Sequence, residues 1–161
     1  MILNAYYDLA QAIHDNVPDI VWRDVDKGQL EDPDKFNSLL TPFVLIGFSE
    51  LKWTTCGTYQ MGDGSVTLKL GVSLTDTHDT SPLLGTNLDK LTLATDLHAA
   101  VDRLGFMKGR TGSHEYPHET YWIIEQTYQV SVKADAPGYR SRTVSVPVQI
   151  NLELTTNPQS I

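Results

Sequence analysis

The sequence predicts an α+β fold, a single domain in which a mostly antiparallel β-sheet carries two main α-helices. Three observations lead there. From Val66 to Leu74 the apolar residues Val66, Leu68, Leu70, Val72 and Leu74 alternate with Thr67, Lys69, Gly71 and Ser73, the period of a strand with one dry and one wet face. Two stretches, residues 1–17 and 87–105, instead space their apolar residues at helical intervals. Two later stretches within residues 121–155 return to period-2 alternation.

Taken in order, Ile2, Tyr6, Leu9, Ala10, Ile13 and Val17 form one helical stripe, and Pro18 ends it by disfavouring helical geometry at the residue before it. Asp19 to Val25 reads as a short strand. Asp26 to Thr41 carries the breakers Gly28 and Pro33 and the carboxylates Asp26, Glu31, Asp32 and Asp34, with Asp24 just before. It reads as a solvated connection with a short helical turn at Phe36 to Leu40. Residues 42–74 form the central strand unit. Phe43 to Phe48 is too apolar for a half-exposed strand and reads as a central one covered on both faces. A second strand follows with Leu51, Trp53, Thr55 and Tyr59 alternating against Lys52, Thr54 and Gln60, and Asp63-Gly64 supplies the residues that suit a tight hairpin before the Val66 strand.

Residues 75–86 are turn chemistry. Leu88, Leu91, Leu93, Ala94, Leu97, Ala100, Val101 and Leu104 then give the second helix, with Asn87 as its N-cap and Gly105 as a left-handed stop. Met107 to Glu119 reads as a loop. Trp122, Ile124, Tyr128, Val130 and Val132 make the next strand. Val144, Val146, Val148, Ile150, Leu152 and Leu154 make the last, which lies at an edge or starts its pairing after Pro147, a residue that cannot donate to a ladder.

With 161 residues, 40% hydrophobic and 20% charged, the chain has the composition of one ordinary globular domain. Twelve basic against 20 acidic residues, a net charge of −8, argue against a surface that tracks phosphates, and so against sequence-specific nucleic-acid binding. The lone Cys56 has no disulfide partner and no neighbouring base, and reads as a small buried filler. The first fifteen residues lack a basic n-region and carry Asp8 and His14, which reads against a secretory leader and for synthesis inside the cell. No apolar run approaches the ~20 residues of a membrane-spanning helix.

His114-Glu115-Tyr116-Pro117-His118 matches the zinc-protease pattern H-E-x-x-H letter for letter. That pattern needs a helix to bring both imidazoles to one side, and Pro117 with the preceding Arg-Thr-Gly-Ser opposes one. What is left is a loop in which His114, His118 and Glu119 are weak candidates for adventitious metal binding, with no catalytic implication and no cofactor. The carboxylates Asp76, Asp79 and Asp96, and those from Asp24 to Asp34, lack calcium-loop spacing and read as solvated surface. Ser65 and Ser81 stand in no nucleophile elbow, and Gly62-Asp63-Gly64 falls short of a phosphate loop. No enzyme is expected. Trp53, Tyr59, Trp122 and Tyr128 are either core and interface or the wall of a ligand groove.

The order of these features resembles a known family. A first helix ends in V-P-D-I. A P-F-V-L-I-x-F strand leads to W-x-x-x-G-x-x-Q-x-G-D-G-S-V-T-L from Trp53 to Leu68, and a helix ends in the L-G-F of Leu104 to Phe106. This is similar, over roughly Ile2 to Lys133, to the tail terminator and tail-completion proteins of tailed bacteriophages and prophages, with the His114 loop and the final strand as departures. The resemblance implies a structural morphogenesis protein. Such a protein forms an oligomeric ring, commonly a hexamer, that caps the tail tube and joins it to the head. Its partners would be copies of itself, tail-tube proteins and head-connector proteins, and its place the host cytoplasm during assembly and then the virion tail. On that footing Trp53, Tyr59, Val148, Ile150 and Leu152 are candidate subunit-interface residues, and the acidic stretch Asp26 to Asp34 would line a channel that DNA crosses without sticking. The alternative from another class is a module binding a small molecule or glycan in an aromatic groove around Trp53 and Trp122.

Overall fold

The computed structural model describes residues 2–73 and 86–135. They form an α+β fold, with a mixed sheet of order β1-β2-β4-β6-β5 and a short β3 on the same side of β4 as β2. The elements are α1 (Ile2–Asn16), β1 (Trp22–Val25), a 3-10 turn (Gln29–Glu31), α2 (Pro33–Phe36), β2 (Phe43–Phe48), β3 (Lys52–Cys56), β4 (Tyr59–Ser73), α3 (Thr86–Val101), β5 (Met107–His118) and β6 (Tyr121–Asp135). Among the described residues only β1 and β2 run parallel, and the other pairs are antiparallel.

β2 is covered on both faces, as its unbroken apolar run predicts, with Phe43, Val44, Leu45 and Ile46 all fully buried. Val44 and Ile46 point toward α1 and α3. There they join Leu9, Ile13, Leu68, Leu70, Leu97, Ile124 and Tyr128 in the main core. Phe43, Leu45 and Ile123 point the other way and are covered by Leu30, Phe36 and Leu39. The stretch from Asp26 to Thr41 is therefore the lid of a second apolar cluster as well as a solvated connection. Its three apolar anchors follow no single period, which hides them from a pattern search.

Four further expectations are corrected. The hairpin between β3 and β4 turns at Gly57-Thr58, where Gly57 has a φ of 66°, and Asp63-Gly64 lies inside β4. Its glycines serve close packing instead. A Cβ on Gly62 would stand 2.8 Å from the Trp53 ring, and one on Gly64 2.5 Å from Leu51. Phe43 occupies the same kind of space over Gly71. Second, Met107 to His118 is a strand and not a loop, held to β6 through ten paired positions with bulges near Gly109 and Gly112. Third, α3 begins at Thr86 and ends at Val101, so Asn87 sits inside it, and the chain leaves through turns that bond Leu104 N–H to Val101 and Met107 N–H to Leu104. Gly105 is not left-handed. Fourth, Cys56 is half-exposed beside the hairpin turn, with no disulfide. The expected strand at Asp19 shortens to Trp22–Val25.

A polar network ties α3 to the sheet. Gln126, almost fully buried, donates from Nε2 to the Ala94 carbonyl at 2.8 Å and accepts from the Tyr128 hydroxyl at 2.7 Å. Since that hydroxyl gives its proton to Gln126, it accepts from Nδ1–H of His98 at 3.1 Å. Burial pushes the Tyr128 pKa up to about 12.

Candidate subunit interface

The sheet has unequal halves. Where β2, β4 and β6 run side by side it is closed on both faces, by α1 and α3 on one and the Leu30–Leu39 lid on the other. Beyond that, β3, the first residues of β4 and the last of β6 continue as a three-stranded ribbon, with Gly62 paired to both Trp53 and Val132. A polar row marks the boundary. Lys69 Nζ bonds Asp26 Oδ2 at 2.8 Å, Lys69 faces Glu125 across the ladder, and the Thr67 and Thr127 hydroxyls lie 3.4 Å apart. Burial pulls the Lys69 pKa down, but the bond and charge of Asp26 outweigh it and leave the value raised.

Both tyrosines and tryptophans singled out in the sequence can be placed. Trp53 lies across Gly62 and is 39% exposed, one of the large apolar side chains open to solvent. Tyr59, half-buried at the ribbon's tip, carries the Lys133 ammonium 4.3 Å from its ring centroid. Tyr128 is core. Trp122 packs against the main core and donates from Nε1 to Glu115 Oε2 at 3.4 Å. Trp53 faces Gly62 and Trp122 faces Val72, ten positions along β4. At the rise of a strand that is about 33 Å, so the two tryptophans do not line one groove. Val148, Ile150 and Leu152 lie outside the described residues.

The edges of the sheet differ more than its faces. β1 is four residues long. The Trp22 and Asp26 amides bond inward to the carbonyls of Pro42, just before β2, and of Ile46, which turns the Val25 amide and carbonyl outward. Both are satisfied from within the chain, the amide by Asp24 Oδ1 at 2.7 Å and the carbonyl by Gln29 Nε2 at 2.7 Å. β5 is broken by two register shifts, carries Arg110, His114 and Glu115 exposed, and contains Pro117, which has no amide hydrogen. β3 is also short, at five residues, and opens on the exposed Lys52, but it carries fewer of these devices than β5. Its register with β4 is unbroken, it contains no proline, and after Lys52 its residues Trp53, Thr54, Thr55 and Cys56 are uncharged. Among the described residues nothing pairs with its outer side.

The H-E-x-x-H residues are not brought together. On a strand, His114 and His118 share a face but stand about 13 Å apart, too far to ligate one ion. His114 stacks on Tyr116 at 5.3 Å. His118 donates from Nε2 to the Leu30 carbonyl at 2.7 Å and meets Phe36 edge-on, pinning the lid. Glu119 occupies the hairpin turn with a φ of 51°. Among the described residues no group of three His, Cys, Asp or Glu side chains is placed to hold a metal. Two carboxylates of the Asp26–Asp34 stretch are paired with lysines, Asp26 with Lys69 and Asp32 with Lys35, and Asp24 just before it pairs with Lys27.

Two clefts flank these features. One of about 500 Å³ lies between α1 and the ends of β1 and β2, walled by Leu3, Tyr6, Val25 and Phe48. The other, about 410 Å³, lies over the lid beside Phe36, Glu31 and His118. No described helix is long and apolar enough to cross a membrane. No family model matches the chain, and no curated protein matches its sequence.

Proposed function

We propose that this chain is a structural subunit of a phage-type tail, a tail terminator or tail-completion protein that assembles with its own copies into a ring capping the tail tube at the head. The single observation that carries the reading is the unpaired β3 edge, with the exposed Trp53 on it, on a sheet whose β1 and β5 edges are more strongly blunted. A closed ring needs contacts between two different patches of each subunit, and an uneven distribution of edges supplies one such patch. The order of helix, central strand, hairpin and second helix, by which the chain resembles that family, supports the same reading. In it, the partners are further copies, tail-tube subunits and the head connector, and the protein works without catalysis in the host cytoplasm and then in the particle.

Mass in solution combined with negative-stain imaging tests the proposal. Rings of uniform diameter are the expected result, and Trp53→Ala is expected to disperse them while leaving the denaturation midpoint of the fold nearly unchanged. A strict monomer at high concentration, both alone and with tail-tube subunits, sinks it.

A further inference from the structure

The lid, residues 30–39, is knit together within itself and tied loosely to the sheet it covers. Its ends are fixed. On one side Asp26 bonds Lys69 through its carboxylate and the Ile46 carbonyl through its amide, and the buried Gln29 donates from Nε2 to the Val25 carbonyl. On the other, the Pro42 carbonyl accepts from the amides of Val21 and Trp22. Between these anchors the amides of Glu31, Asp32, Lys35, Phe36, Asn37, Ser38 and Leu39 all bond to carbonyls within residues 28–36. Asp32 adds a cap to the Asp34 amide and an ion pair to Lys35. Among the described residues no backbone bond joins the lid to a strand. What holds it down comes from the two residues flanking the β5–β6 turn. His118 and Tyr121 donate to the Leu30 and Leu39 carbonyls at 2.7 and 3.3 Å, and Phe36 meets their rings at centroid distances of 5.2 and 4.8 Å. The cleft of about 410 Å³ lies along this seam, with Glu31, Pro33 and Asn37 on the lid side and His118 and Glu119 on the other.

We propose that residues 30–39 swing open and shut as one unit while the rest of the chain stays folded, and that His118 and Tyr121 are the latch. The device is independent of the ring reading. A segment whose hydrogen bonds are internal keeps them when it moves away, so opening gives up only the two latch bonds and the burial of Leu30, Phe36 and Leu39. Lifting a strand out of the sheet would instead break a whole ladder of backbone bonds. In the open form Phe43, Leu45 and Ile123 are bared, and the sheet gains an apolar face that the closed form hides. Whatever engages the β5–β6 turn in place of the lid shifts the balance toward that form.

Neighbouring residues of the sheet test this, because Val44 and Ile124 are buried under the helices while Leu45 and Ile123 are buried under the lid. In the full-length chain carrying Cys56→Ser, the substitutions Val44→Cys, Leu45→Cys, Ile123→Cys and Ile124→Cys are made one at a time. Reaction with a thiol reagent is followed at urea concentrations below the unfolding transition. Leu45→Cys and Ile123→Cys should react about tenfold or more faster than their neighbours, and nearly independently of urea, because opening exposes little surface. Val44→Cys and Ile124→Cys should react through global unfolding, at rates that climb steeply with urea. Adding His118→Ala should speed the reaction of Leu45→Cys by about tenfold and leave its urea dependence shallow. Two strands carry the comparison, so the loss of one variant to misfolding leaves the other pair to decide. Equal and steep urea dependence on both faces of the sheet overturns separate opening, and an unchanged rate with His118→Ala overturns the latch. Neither result bears on whether the chain forms rings.

Discussion

From Val66 to Val72 every second residue of β4 is sealed against α1 and α3, and Phe43 lies across Gly71 on the other face. From Tyr59 to Ser65 the same strand has no buried side chain larger than a hydrogen, and its neighbour β3 is exposed almost throughout. Both halves are paired on two sides, so backbone hydrogen bonding does not distinguish them. What distinguishes them is what lies above and below. One half is covered on both faces, and the other only along β6, where Val130, Val132 and Ala134 are buried while β3 stays open.

Substitutions in matched pairs sharpen that contrast. Leu68→Ala should cost about 3 kcal/mol in chemical denaturation, from lost burial and the cavity left in a closed layer. Met61→Ala in the open half should cost less than about 1 kcal/mol. Equal losses would mean that the open half is covered after all. The glycines give a second pair. A Cβ on Gly71 would meet the fully buried Phe43 ring at 2.1 Å, and Gly71→Ala should cost about 2–3 kcal/mol because that ring has nowhere to go. Gly62→Ala presses on Trp53 at 2.8 Å, but Trp53 is partly solvent-exposed and can swing away, so about 1 kcal/mol or less is expected.

Next in size is the network under α3. Tyr128→Phe removes the hydroxyl that joins His98 to Gln126 and should cost about 1–2 kcal/mol. It should also change the alkaline limb of stability. The folded Tyr128 pKa, about 12, lies above the ordinary tyrosine value of 10.0, so the neutral form is the one the fold favours. Its contribution is complete below pH 10, where both states keep the proton. It is lost as pH climbs toward 12, where the unfolded chain ionises first. Denaturation midpoints at pH 9 and pH 11 should therefore converge in Tyr128→Phe relative to the parent. The smallest effect is expected at the β5–β6 turn. Glu119→Gly removes the cost of a left-handed non-glycine residue and should stabilise by less than about 1 kcal/mol, read as a small rise in melting temperature.

The closed half was legible in the sequence because its information is local. Period-2 alternation in β4, the unbroken run in β2 and the stripe of α1 each follow from short-range spacing. The open half was not. Met61-Gly62-Asp63-Gly64 has stronger turn chemistry than Cys56-Gly57-Thr58-Tyr59, and only the Trp53 ring over Gly62 and Leu51 over Gly64 explain why glycines stand inside a strand. β5 is mostly polar and exposed, with no alternation to read, and takes its form from pairing with β6. Of the candidate interface, Trp53 could be named from its residue type and setting. That β3 is an outermost strand with an unpaired side could not, since this depends on which strands come to lie beside it. For the same reason H-E-x-x-H misleads, its two imidazoles being spaced for a helix and placed on a strand.

The small arrangement around Val25 has a consequence for how the protein behaves in a crowd. Fibrils of stacked sheets lengthen only if every molecule offers two adhesive rims, one to attach by and one to be attached to. With the rim at Val25 already spent on Asp24 and Gln29, a neighbour that arrives there finds two of the edge's backbone groups taken. Concentrated solutions of this protein should therefore resist runaway growth through that side.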